Sequence, residues 1–203
     1  MSEATPTPQP QPVLADVDDF LAWVQGQRER YEFVGGHLVM MAGGSEDHND
    51  IQVNLLAALK RRLRGGPCKP NGSNLLVRIE ERTGRFPDAS VTCGREGRNY
   101  VTAPVAIFEI LSSATELLDR TDKRRDYQRL ASVRHYVLIA RDAPRIEAYI
   151  RGRRGWRFEE LEGLDAVLAL AAFGIELPLA DIYDGLSFAA PVEASARPTT
   201  STG

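Results

Sequence analysis

Glu109 stands inside the run Val105-Ala106-Ile107-Phe108-Glu109-Ile110-Leu111, where every other residue is apolar. An unpaired carboxylate buried in such a setting costs on the order of several kcal/mol, so the group needs a cation or must take up a proton. A neighbouring arginine is one such cation, and a metal ion is another. Asp88 supplies a second carboxylate. Pro87 fixes the chain direction just before it, and Asp88 falls opposite the face that carries Ala89, Val91 and Cys93. If the strands bearing Asp88 and Glu109 are neighbours, the carboxylates converge on one cation. Hard ions such as Mg²⁺ take a few carboxylate oxygens, keep several waters and complete the shell with substrate phosphate.

Lys123 is the third candidate. On a helix, positions 123, 127 and 130 share one face, so Lys123 lines up with Tyr127 and Leu130 while Arg124 and Arg125 point elsewhere. A lysine on the inner face beside two carboxylates can orient an attacking water and stabilise charge on a phosphate. The alternative is a lysine that snorkels to solvent. Glu32 is a candidate further acid at the metal, and His48 reads as a satisfied, partly buried histidine near a helix start.

The elements that must position these groups follow from pattern. Asp16 caps a short helix carrying Phe20, Leu21, Trp23 and Val24. Tyr31–Val34 and His37–Met41 form a hairpin around Gly35-Gly36. Ser45 or Asp47 opens a second helix with the stripe Ile51, Leu55, Leu56, Leu59 and Leu63, closed by Gly65-Gly66-Pro67. Strands are expected at Asn74–Glu80, Phe86–Cys93 and Val105–Leu111, the last apolar on both faces as a central strand is. A helix from Asp119 to Ala131 precedes strands His135–Ala140, Arg145–Ile150 and Trp156–Leu161, and Leu177–Tyr183 is the last structured piece. The order predicts an α/β fold, a mixed β-sheet flanked by helices, over residues 14–187. Residues 1–13 and 188–203, rich in Pro, Thr, Gln, Ala and Ser, are expected to be disordered tails.

A chain of 203 residues can bury one sizeable core. No run of eighteen apolar residues offers a membrane span, and the start MSEATPTPQPQPVL is not built as a secretory signal. Cys68 and Cys93 stand alone, without CxxC spacing, so neither a thiolate zinc site nor a disulfide is expected, a reducing cytoplasm is favoured, and metal must be held by oxygen. The net charge of −3 argues mildly against nucleic acid as a partner. The distribution argues the other way: Lys60, Arg61, Arg62, Arg64 and Lys69 form one basic stretch, and a second runs from Arg120 through Arg141 to Arg157. Such a local positive face on an acidic protein can still bind phosphate.

Phe86-Pro87-Asp88 followed by Phe108-Glu109-Ile110-Leu111-Ser112-Ser113-Ala114-Thr115 resembles the Uma-two family of restriction endonucleases, within the PD-(D/E)XK nuclease superfamily. Tyr31-Glu32-Phe33-Val34-Gly35-Gly36, Ser45 with His48, Asp122-Lys123 with Tyr127, and Arg134–Ile139 support the resemblance, which covers about residues 28–186. It implies a restriction endonuclease-like fold and Mg²⁺-dependent cleavage of DNA, Mn²⁺ being able to substitute. Asp88 and Glu109 match the family's acids, and the Ile110 backbone carbonyl is implied as a further metal ligand. The superfamily pattern expects a lysine two residues after the second acid, where this chain has Leu111. Similar sequences relocate it to the following helix, which makes Lys123 its counterpart. A homodimer is implied by the need for two sites to cut two strands. The rival reading is a non-catalytic nucleic-acid- or protein-binding module, favoured by the acidic pI and by Leu111. An acid–base pair for glycoside hydrolysis is disfavoured by an aromatic content of 7%.

Overall fold

The computed structural model describes residues 12–41, 43–94, 99–112 and 116–188, so the expected tails lie almost entirely outside the described residues, as do Ser113, Ala114 and Thr115. Asp16 accepts hydrogen bonds from the Asp18 and Asp19 N–H groups and so opens α1 (Val17–Val24). β1 (Tyr31–Val34) and β2 (His37–Met40) form the expected hairpin, with Gly35 and Gly36 both at positive φ, as its turn requires. Ser45 caps α2 (Glu46–Arg62), whose buried side is Ile51, Leu55, Ala58 and Leu59.

Six further strands then follow. They are β3 (Cys68–Gly72), β4 (Leu76–Glu80), β5 (Thr83–Arg85), β6 (Ala89–Cys93), β7 (Tyr100–Val101) and β8 (Pro104–Ile110). The helix expected from Asp119 to Ala131 is instead a composite. It opens with α3 (Glu116–Leu118), widens into a π-helical turn at Asp119–Lys123, and ends in α4 (Arg124–Arg129). β9 (His135–Ile139), β10 (Arg145–Gly152) and β11 (Gly155–Glu162) follow as expected. The chain closes with β12 (Val167–Leu170), β13 (Ile175–Pro178) and α5 (Leu179–Ile182), where only one piece at Leu177–Tyr183 was expected.

The central sheet has the order β11-β10-β9-β8-β6-β3, with β8 and β9 parallel and its other pairs antiparallel. β8 lies inside it and is covered on both faces. Ala106, Phe108 and Ile110 pack with α2 and the β12–β13 hairpin, and Ile107 and Leu111 pack with Tyr127 of α4. A second sheet, β2-β1-β5-β4-β7, carries Phe33 and Leu76 against Phe20 of α1. The mixed sheet flanked by helices is thus as expected, with a second sheet added beside it. No helix among the described residues is long and apolar enough to cross a membrane.

One expectation is overturned. The antiparallel register of β3 and β6 sets Cys68 opposite Cys93, and the two are joined by a disulfide. The sequence reading had no strand at Cys68–Gly72, and without it nothing placed the cysteines face to face. The inference of a reducing cytoplasm from solitary thiols therefore lapses.

Candidate active site

The β6–β8 register pairs Ala89 with Phe108 and Ser90 with Ile107, so its next step brings Asp88 opposite Glu109. Asp88 precedes β6 by one residue and is fixed from three directions. Its Oδ2 accepts a 2.7 Å hydrogen bond from the Ile110 N–H. Gln52 Nε2 donates to its backbone carbonyl at 2.7 Å, and His48 Nε2 lies 3.3 Å from Oδ2. The first turns of α2 therefore hold the Asp88 corner, and the capping of α2 by Ser45 bears directly on the site.

Glu109 is 2% exposed and meets the composite helix. Lys123 Nζ lies 3.2 Å from Oε2, and the Tyr127 hydroxyl donates to Oε1 at 3.2 Å. The same ammonium lies 2.9 Å from Asp119 Oδ1. Burial drives the Glu109 carboxyl well above the usual range, Lys123 opposes this, and the charges of Asp88, Asp119 and Glu32 add to it. Burial by itself would lower Lys123, but Glu109, Glu32 and Asp119 together hold it above its ordinary value, so it is an ammonium. The Tyr127 phenol is raised by burial and by Glu109, and it stays a donor.

Glu32 sits at the edge of this group. Its Oε1 accepts from the Phe86 N–H at 3.1 Å, and its Oε2 is 2.9 Å from Arg85 Nη1. Arg85 also donates through Nε to Asp126 Oδ2 at 2.7 Å, which ties β1, β5 and α4 together. Glu32 is thus engaged by a guanidinium, yet it lines the same cavity as the others.

That cavity, of about 350 Å³, brings Glu32, His48, Asp88, Glu109, Ile110 and Lys123 to one surface, with Arg30, Met40 and Arg141 among its more exposed lining. No three His, Cys, Asp or Glu side chains among the described residues group as a metal cage. The cavity wall offers an ion an all-oxygen set, the carboxylates of Asp88 and Glu109 with Glu32 and Asp119 beside them. It suits a hard ion that keeps most of its waters and does not suit a zinc cage. Lys123 and Tyr127 each take one position on Glu109, and a carboxylate offers about four, so room for an ion remains.

Sequence reasoning missed three participants. Arg85 lies in a strand too short to show periodicity, although a charged residue three positions before Asp88 was visible. Asp119 precedes Lys123 by four residues, a spacing that signals a helical ion pair and could have found it. Tyr127 was assigned only to the core.

Residues 17–180 match the family Uma2, described as "Putative restriction endonuclease". An uncharacterized protein of Synechocystis sp., slr1290, is 32% identical over 176 residues, covering 84% of this chain and 92% of that protein. A second, sll1609, is 28% identical over 155 residues, covering 73% of this chain and 88% of that protein. A crystal structure from Anabaena variabilis, described as "a putative nuclease belonging to DUF820", superposes with a TM-score of 0.68 over 82% of this chain and 96% of that one. At 18% identity it speaks for the fold alone. With most of its length matched and its acids set side by side, the chain belongs to the Uma2 family.

Proposed function

We propose that this chain is a metal-dependent endonuclease that hydrolyses DNA phosphodiester bonds through a PD-(D/E)XK-type site. The observation that carries this reading is a buried glutamate set opposite an aspartate, with a lysine ammonium on the same cavity wall, in a chain of this family. Asp88, Glu109 and the Ile110 carbonyl are the residues that would hold Mg²⁺, or Mn²⁺ in its place. Such an ion, when bound, supplies Lewis acidity toward the phosphate and makes water a better nucleophile.

The chain's own groups do the rest. The Ile110 N–H holds Asp88 in place through Oδ2. Tyr127 orients Glu109, so the carboxylate needs little reorganisation when charge builds up on the phosphate. Lys123 sits where it can hold an attacking water and offset the developing negative charge. Arg30 and Arg141 are the other cations on the cavity wall and would grip backbone phosphates without reading bases. Cutting both strands then calls for two copies of the site, as in a homodimer. The second reading, a binding module without turnover, is favoured by one observation: Leu111 occupies the usual lysine position and is buried in the core.

The test is incubation of the protein with supercoiled plasmid and with single-stranded DNA, in Mg²⁺, Mn²⁺ or EDTA. Wild type should nick the plasmid only with metal, and Asp88→Ala and Glu109→Gln should abolish nicking. Lys123→Met should lose about 10²–10³-fold in rate, as removal of a group that stabilises transition-state charge does. Cleavage that survives EDTA sinks the metal-dependent mechanism. Binding of DNA without cleavage of any substrate selects the module.

A further inference from the structure

The basic stretch from Lys60 to Lys69 does not reach the cavity. α2 meets the site with its first turns, where His48, Asn49 and Gln52 line the cavity, and runs away from it. Three of its exposed residues at the site end, Glu46, Asp47 and Asp50, are acidic and none is basic. With Lys123 engaged by two carboxylates, Arg30 and Arg141 are the other Lys or Arg side chains that line the cavity among the described residues. Most of the affinity for a nucleic-acid backbone must therefore come from elsewhere.

The other end of α2 supplies it. Lys60, Arg61, Arg64 and Lys69 line a groove of about 560 Å³ between the end of α2 and the start of β3, and no acidic residue lines it. Arg61 is paired with Asp181, while Lys60, Arg64 and Lys69 are exposed and make no ion pair among the described residues. Cations on the last turn of a helix are commonly explained by its dipole. Lys69 is not. It stands on β3, across the groove from the helix, so two separate elements aim positive charge at one concave surface. Helical rise puts Lys60 and Arg64 roughly 18–24 Å from His48 along α2. The β3–β6 pairing agrees, because Lys69 lies opposite Thr92, toward the end of β6 remote from Asp88.

We propose that this groove is an anchoring site for the nucleic-acid backbone, remote from the cleavage centre and continuous with it along one substrate. The proposal rests on the nuclease reading. At about 3.4 Å per base pair, the separation corresponds to roughly 5–7 base pairs of duplex. The groove's basic side chains are assigned to phosphates, so it contributes affinity and reach.

The experiment measures binding of fluorescein-labelled duplexes by anisotropy in EDTA, so that no turnover is needed, across a series of KCl concentrations. Wild type is compared with the triple variant K60Q/R64Q/K69Q, whose melting temperature is checked first. On a duplex of about 20 base pairs the variant should bind at least tenfold more weakly at low salt, with a log Kd against log salt slope smaller by about 2–3. On a duplex of about 5 base pairs, which the groove can hold but which cannot reach the cavity at the same time, the variant should still bind more weakly than wild type, and equal binding would overturn the proposal. An unchanged slope on the long duplex, or a wild type that binds no duplex, overturns the proposal. Failure of the two readings is distinguishable. Long duplex held through the groove without plasmid nicking keeps the anchor and removes the nuclease. Nicking with an unaltered slope does the reverse.

Discussion

Replacing Arg85 by methionine should destabilise the fold by about 3–4 kcal/mol, within the roughly 3–5 kcal/mol typical of breaking a buried ion pair from one side. Arg85 is 1% exposed and joins Glu32 to Asp126. Burial by itself would weaken its hold on the proton, and the charges of Glu32 and Asp126 more than reverse this. Methionine fills much of the volume and removes the charge. Asp126, with 14% of its side chain exposed, can then turn toward water, but Glu32, at 3%, cannot. One stranded charge sets the lower part of the range. For a domain of this size the melting temperature should fall by about 6–16 °C. The double variant E32Q/R85M should recover about 2 kcal/mol or more, since glutamine keeps an acceptor for the Phe86 N–H and buries no charge. Urea unfolding followed by tryptophan fluorescence reads both. A single variant within about 1 kcal/mol of wild type, or a double variant no more stable than R85M, would refute the reasoning. The same change should slow cleavage, because Glu32 tethers Phe86 two residues before Asp88.

Two further predictions concern the scaffold. His135 is buried, its Nε2 accepts from the Ala172 N–H at 3.3 Å, and burial, with Arg157 adding to it, pushes its pKa down to about 4. The unfolded chain takes up this proton near pH 6.5 and the folded chain does not, so stability should be fully present above that pH and fall by up to about 3 kcal/mol toward pH 4. Wild type and His135→Gln compared by urea unfolding at several pH values should diverge over that window, and parallel curves would contradict the assignment. The disulfide closes a loop of 25 residues, which by chain entropy is worth about 3–4 kcal/mol. The variant C68S/C93S should therefore melt several degrees lower, and an unchanged midpoint would show that the cross-link contributes nothing to stability.

The acids were legible because a charge inside an apolar strand is costly wherever it lies, and Glu109 announces itself by its neighbours. That Asp88 faces it was not legible, since adjacency depends on a register that periodicity leaves open. The shared inward face of Lys123 and Tyr127 was legible from their helical spacing, even though Lys123 ends a π-helical turn and Tyr127 lies in α4. Cys68–Gly72 carries the turn formers Pro, Asn and Gly and a Lys that strands mildly disfavour, and it is a strand where β6 offers it a partner. With that strand hidden, the cysteine pairing was hidden too. Arg85 failed for a related reason: three residues show no pattern, and the partners Glu32 and Asp126 are 53 and 41 positions away.

On the proposed reading, with Lys123 as counterpart of the strand lysine, the helix position has a structural consequence that the strand position would not have. A residue at 111 projects from the same strand face as Glu109, about 6–7 Å along it, and could place its ammonium at the cavity with its stem on the strand. Here that place is taken by Leu111, which packs with Tyr127 and Val133. The ammonium instead descends from the helix onto the same face, where burial disfavours its charge and three carboxylates must restore it. Asp119 is one of these, and it reaches Lys123 across the π-helical turn, the widened segment in which both residues are buried. The bulge, Asp119 and Lys123 therefore form one device. The three lie together beside Glu109, in keeping with the frequent placing of π-helical turns at functional sites.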